Sequence, residues 1–205
     1  MHLISKAEQE QIGEAIVRAE AHTSGEIVAV VTAASDNYLY IASMWAALLA
    51  LFVPWPLIYM TWLPVQWIFA LQVLVFVLTY LLFQWMPLRL MLVPRSVMDN
   101  RCHAHAVEQF LAQNLHSARG RTGVLIFVSV AEHYAEIIAD EEIYNRVSKE
   151  VWQGAVDELI LKIRKRDPAG GFISAIERSG DLLAEHFPPG QGDADELPNH
   201  LIVLE

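Results

Sequence analysis

Between Asp36 and Arg89 the chain carries no Asp, Glu, Lys or Arg, and most of that stretch is Leu, Val, Ile, Phe, Trp, Ala and Met. A bilayer's hydrocarbon core of roughly 30 Å takes about 20 apolar residues per helical crossing. The run divides into two pieces of that size, residues 40–60 and 65–86, separated by Thr61, Trp62, Leu63 and Pro64. The expectation is two membrane helices joined by a tight turn. The alternative is a buried hydrophobic hairpin inside a soluble protein. Pro54 and Pro56 flank Trp55 and are expected to kink or break the first helix, because neither nitrogen can donate to the helical ladder. Trp62, Trp67, Trp85, Tyr38, Tyr40 and Tyr80 fall mostly near the ends of the two pieces, as an interfacial aromatic belt does. Gln66, Gln72 and Gln84 are the most polar side chains in the run. With no ionisable group inside it, the segment reads as an anchor, not as an ion or proton pathway.

Without the apolar run roughly 150 residues remain, enough for one compact domain with its own core. They hold nearly all the charge, and the formal net of −10 disfavours nucleic acid, whose phosphates would be repelled. The one cationic cluster, Lys162, Arg164, Lys165 and Arg166, fits the last turn of a helix, where the dipole favours cations. Cys102 is the sole cysteine, so no intrachain disulfide is possible. The first residues, Met-His-Leu-Ile-Ser-Lys-Ala-Glu-Gln-Glu, lack a basic region followed by an apolar stretch, so no cleavable signal peptide is expected.

Two arguments place both flanks of the run on one side of a membrane. Arg89, Arg95 and Arg101 follow the second piece while the turn has no Lys or Arg, which puts the turn outside and both ends in the cytoplasm. The second argument is connectivity. Glu26–Thr32 and residues 123–130 are short β-branched runs, each introduced by a Gly-containing turn, and each needs a partner for its backbone. Pairing them in one sheet hangs the hairpin from a loop between them. Residues 1–36 and 95–205 are then two parts of one domain, with residues 37–94 as the hairpin. The localisation expected is the inner membrane, multi-pass, with both termini and the soluble domain cytoplasmic.

A helix is expected over residues 5–21, where Ser5 and Glu8 match a capping box and Ile12, Ile16 and Ala19 share a face. Residues 94–115 read as another helix, with Val97, Val107, Phe110 and Leu111 as core positions. A third strand is expected at residues 134–139, and two further helices at 147–165 and 172–186. A polar tail rich in Gly, Pro and Asp follows, ending in Leu-Ile-Val-Leu-Glu. The order describes an α/β fold, a three-layer-like sandwich with a small central sheet plus an inserted transmembrane helical hairpin.

Thr23-Ser24-Gly25-Glu26-Ile27-Val28 resembles the opening strand of TPM domains. So do Arg121-Thr122-Gly123-Val124-Leu125-Ile126-Phe127-Val128-Ser129 and Tyr134-Ala135-Glu136-Ile137-Ile138-Ala139-Asp140. Val151-Trp152 and Glu196-Leu197-Pro198-Asn199 fit as well. The likeness covers residues 1–36 and 95–205, and is greatest to bacterial membrane proteins in which a hydrophobic hairpin splits a TPM domain. The resemblance implies a TPM-like fold. Relatives in the thylakoid lumen are associated with photosystem repair and described as weak acid phosphatases, and an animal relative is an accessory subunit of a receptor channel.

The candidate acids are Asp36, after the first strand, and Asp140, Glu141 and Glu142 after the third. If those strands run parallel, both loops open at one edge, where α/β proteins bind ligands. Asp36, Asp140 and Glu141 then form a candidate site for a hard cation, Ca²⁺ or Mg²⁺. Asp140 also matches the strand-end aspartate of TPM domains. Otherwise these acids cap the next helix or solvate a loop. Cys102-His103-Ala104-His105 with Glu108 has metal-ligand residue types, but on a helix only His105 and Glu108 share a face. Ser129 lies within a strand and lacks the Gly-x-Ser-x-Gly elbow. Two functions follow. One is a binding or assembly module for a membrane protein partner; the other is a weak metal-assisted phosphatase using the strand-end acids.

Overall fold

Seven residues of each β-branched run, Glu26–Thr32 (β1) and Gly123–Ser129 (β2), pair in parallel, Glu26 opposite Gly123 and Thr32 opposite Ser129. The computed structural model in which they do so describes residues 4–115, 122–147, 149–165, 167–189 and 200–204. Tyr134–Ala139 (β3) folds back antiparallel on β2, with Ser129 opposite Tyr134 and Val124 opposite Ala139. Ile202–Leu204 (β4) lies parallel to β1 on its other side, giving the order β3-β2-β1-β4. This fourth strand is not anticipated above: three apolar residues after a long polar tail are too short a signal to read.

Both faces of the sheet are apolar, because helices cover both. Helix α1 (Lys6–Glu20) opens with the Ser5–Glu8 capping box, Ser5 N donating to Glu8 Oε2 at 2.7 Å. Its Ile12, Ala15 and Ile16 join Trp152 and Leu159 of α8 (Lys149–Arg164) and Phe172 and Ile176 of α9 (Pro168–His186). Together they bury Ile27, Ala29, Val31 and their neighbours on β2. On the second face Val28, Val30, Leu125 and Phe127 pack under Ala106 and Phe110 of α6 (Arg95–Ala112), with Leu115 beyond it. The result is a mixed α/β sandwich of three layers. Phe110 is core as expected, whereas Val107 and Leu111 are 36% and 51% exposed, since one helix over a sheet buries a narrow stripe. Gly123 has no room for a side chain, because a Cβ there would sit 2.7 Å from the carbonyl oxygen of Leu115.

The chain divides into two compact units, Met1–Ser35 with Asp99–Glu205, and Asp36–Met98. In the second, α2 (Leu39–Phe52) and α3 (Pro54–Met60) follow one another with Val53 between them at φ −58°, ψ −45°. Pro54 and Pro56 therefore interrupt the hydrogen-bond ladder while the backbone at Val53 keeps helical dihedrals. Helix α4 (Val65–Leu82) returns alongside, and Ala42, Ala46 and Ala50 are buried at every fourth residue of α2. Small residues at that spacing let two helices approach closely. Helix α4 stops four residues short of the expected end at residue 86, and Met86–Leu92 forms a separate short helix, α5.

Candidate functional site

The C-terminal ends of β1 and β2 hold a buried polar centre. Ladder bonds continue past the strands, Val130 N to Thr32 O at 3.1 Å and Ala131 N to Ala33 O at 3.0 Å, so the two chain exits run side by side. The chain then turns sharply, with His133 at φ 51°, and this turn delivers Glu132 inward. Glu132 is 1% exposed. Its Oε1 accepts from Ser35 N at 2.9 Å, and its Oε2 accepts from the Ser129 hydroxyl. Cys102 of α6 is buried beside them. Glu132 is the residue that sequence reasoning missed. A single acid between two strands reads as a turn residue, and partners such as Ser35 and Ser129, 97 and three positions away, give it a role.

Burial pushes the Cys102 thiol up to about 11. The Ser35 and Ser129 hydroxyls pull the other way, and Glu132 and Asp99 add to the rise. A thiol held protonated is a poor nucleophile. Native Cys102 is expected to react with iodoacetamide at pH 8 at least about a hundredfold more slowly than in denaturant, read by mass spectrometry. The same rise makes stability pH-dependent. The folded thiol keeps its proton where the unfolded thiol has lost it, so the contribution is complete below about pH 8.5 and is lost as pH climbs towards 11.

The sequence-derived acids lie elsewhere. Because β3 runs opposite to β1, its end at Ala139 is level with Val124 and Ile27, a strand length of about 20 Å from Thr32. The condition that would open both acidic loops at one edge is therefore not met: Asp36 follows from the Thr32 end and Asp140 from the other. Asp36 Oδ1 accepts from Tyr38 N at 3.2 Å, where Tyr38 holds a left-handed φ of 50°. Asp140 caps α7 (Glu141–Tyr144), its Oδ1 accepting from Glu141 N at 2.6 Å, and its Oδ2 is buried with no hydrogen-bond partner among the described residues. Glu141 and Glu142 are exposed.

Nor do the residues around Cys102 converge. Cys102 points into the core, and His103 Nδ1 lies 3.0 Å from both oxygens of Glu136 on β3. The His105 ring meets Phe127 edge-on at 5.4 Å. Tyr134 donates to Glu136 Oε2 at 2.9 Å, and burial together with that carboxylate pushes its phenol up. Among the described residues no three His, Cys, Asp or Glu side chains are grouped to hold a metal ion. Arg121, Arg166 and Glu196-Leu197-Pro198-Asn199 lie outside the described residues.

The base of the hairpin is built around one cation. Arg89, on α5, is 6% exposed. Its Nε donates to Phe83 O at 3.0 Å, its Nη2 to Gln84 O at 2.6 Å, and its Nη1 to Asn37 O. The guanidinium thus caps the open carbonyls after α4 and ties them to the chain entering α2. Of the three arginines that follow the second apolar piece, Arg95 and Arg101 are exposed and Arg89 is spent inside.

In its fold the chain is similar to BA42 protein from the psychrophilic bacterium Bizionia argentinensis, whose NMR structure superposes with a TM-score of 0.62 at 20% identity. The match covers 98% of this chain and 94% of that one. At that identity the likeness is one of fold. No family model matches the chain, and no curated protein matches it.

Proposed function

We propose that this chain is a two-span inner-membrane protein whose α/β unit is a binding or assembly module for a membrane protein partner. The supporting observation is the surface of residues 39–82. Phe52, Trp55, Trp67 and Phe69 are each more than 60% exposed, and only 6% of the 18-residue window on α4 is buried. A core hairpin of a soluble protein would bury such side chains, and soluble monomers rarely expose contiguous apolar patches beyond a few hundred Å². Both spans suit a bilayer by length, Leu39–Met60 and Val65–Leu82. Arg95 and Arg101 follow the second span, and the turn between spans is uncharged, which favours cytoplasmic termini. The quoted likeness to TPM domains fits a module of this kind.

A second reading, the weak Ca²⁺- or Mg²⁺-assisted phosphatase, has one observation in its favour: the unpartnered, buried Oδ2 of Asp140. The two readings part on a pair of variants. Exchange of residues 37–94 for an unrelated two-span hairpin is expected to abolish cross-linking to the partner in intact cells, while Asp140→Asn cross-links as the parent does. Loss of phosphate-ester turnover and of Ca²⁺ heat in Asp140→Asn, with fold and cross-links intact, would establish the enzyme instead. Alkaline carbonate that releases the chain from the membrane fraction would end the membrane reading.

A further inference from the structure

We propose that the α/β unit docks on an anionic lipid surface through the C-terminal end of α8, an inference that rests on the membrane reading above. The side chains concerned are Arg164 and Lys165, with Leu161 one turn earlier. All three are exposed, Leu161 to 52%. Lys162 of the same cluster is already used, its Nζ 3.4 Å from Glu158 and donating to Gly170 O at 3.3 Å. Among the described residues Arg164 and Lys165 have no ion pair. Asp167, the nearest acid along the chain, is the N-cap of α9 and accepts from Gly170 N at 2.9 Å. An exposed leucine beside two cations suits a helix end lying in a headgroup layer, with the apolar side chain among the first methylenes and the charges on phosphates.

The position of α8 in the fold puts these residues on the appropriate end of the sheet. Ile163 and Arg164 line one crevice with Ser129 and His133, so α8 finishes where β1 and β2 finish. The chain leaves the α/β unit from that same end. Ser35, its last residue before the apolar run, is held there by Glu132, and Asp99, where the chain returns, precedes buried Cys102 by one turn. Seven Cα steps, at most about 25 Å of chain, lead from Thr32 to Leu39, where the first span starts.

The opposite end of the sheet is acidic. Glu20 accepts from Ile27 N at 2.8 Å, Glu26 opens β1, and Asp140, Glu141 and Glu142 follow the end of β3. An anionic surface repels that end and attracts the one with Arg164 and Lys165, over a screening distance of about 10 Å. The cytoplasmic side proposed above is also where membranes present anionic headgroups. A free phosphate would engage the cations and leave Leu161 in water, whereas a lipid surface takes both.

The test uses full chains reconstituted into phosphatidylcholine vesicles with or without phosphatidylglycerol. An environment-sensitive fluorophore is attached at Leu161→Cys or, as a reference at the acidic end, at Glu142→Cys, while buried Cys102 stays unlabelled. The expected result is a blue shift and shielding from acrylamide for the label at 161 in the anionic vesicles alone, with no change for the label at 142. Arg164→Gln combined with Lys165→Gln should weaken that contact about 25-fold, about fivefold for each charge, and added salt should weaken it in the parent. Both replaced side chains are exposed, so thermal unfolding of the double variant should match the parent's. A label at 161 that responds alike in both lipids, or a double variant that responds like the parent, would overturn the docking surface. Resistance of the same vesicles to alkaline carbonate would then leave the membrane reading standing, and extraction by carbonate would overturn both.

Discussion

Arg89→Met is expected to destabilise the hairpin by about 3–5 kcal/mol, the largest effect of any single change in residues 36–98. The substitution keeps the length and apolar stem of the side chain and removes the charge-assisted donors at once. It leaves Phe83 O, Gln84 O and Asn37 O without their partner at a site where Arg89 is 6% exposed. Arg89→Lys should recover only part of the loss, because an ammonium is a point donor and three diverging carbonyls match the planar fork. Limited proteolysis of the detergent-solubilised protein reads the effect, with new cleavage expected between residues 83 and 95 in Arg89→Met and an intermediate amount in Arg89→Lys. Parent-like resistance in both variants would show that the carbonyls find water instead.

Glu132→Ala is expected to cost the α/β unit about 3 kcal/mol or more, because it strands the Ser35 N–H and the Ser129 hydroxyl in a buried place. Glu132→Gln preserves the shape but offers one acceptor oxygen where two oxygens now accept, so an intermediate loss should follow. Thermal unfolding gives the order parent, Gln, Ala. The alkylation of Cys102 gives an independent readout: opening of this centre exposes the thiol, and labelling under native conditions should accelerate in the same order. A Glu132→Ala protein that unfolds like the parent and shields Cys102 equally well would remove any structural importance from the centre.

The layers were legible in the sequence because each rests on a local signal. Period-two and continuous apolar runs mark β1, β2 and β3, and the Ser5–Glu8 pair marks the first turn of α1. The candidate site was not legible for a topological reason. Residues 130–133 look like an ordinary short hairpin connection with one acid in it, and their brevity already implies that β3 returns antiparallel. That return carries Asp140 to the sheet end opposite the one from which the chain proceeds to Asp36. The role of Glu132 depends on partners in two other segments, and that of Arg89 on three backbone carbonyls, which no side-chain pattern announces. The second apolar run outlasts α4 for the same reason: residues 83–86 carry no charge, and the Arg89 cap marks where the helix has already ended.

The central strand also sets a problem of timing during synthesis. β1 leaves the ribosome before the apolar run, whereas β2, its partner along all seven residues, begins only at Gly123, and β4 at Ile202. At about 5–20 residues per second, β1 waits on the order of ten seconds with both edges open while the hairpin is made. An uncharged edge reading Ile-Val-Ala-Val-Val is a hazard to its neighbours for that interval. Growing chains on one messenger each pass through the same open state, so the yield of folded protein should depend on how fast the ribosome travels from Thr32 to Ser129.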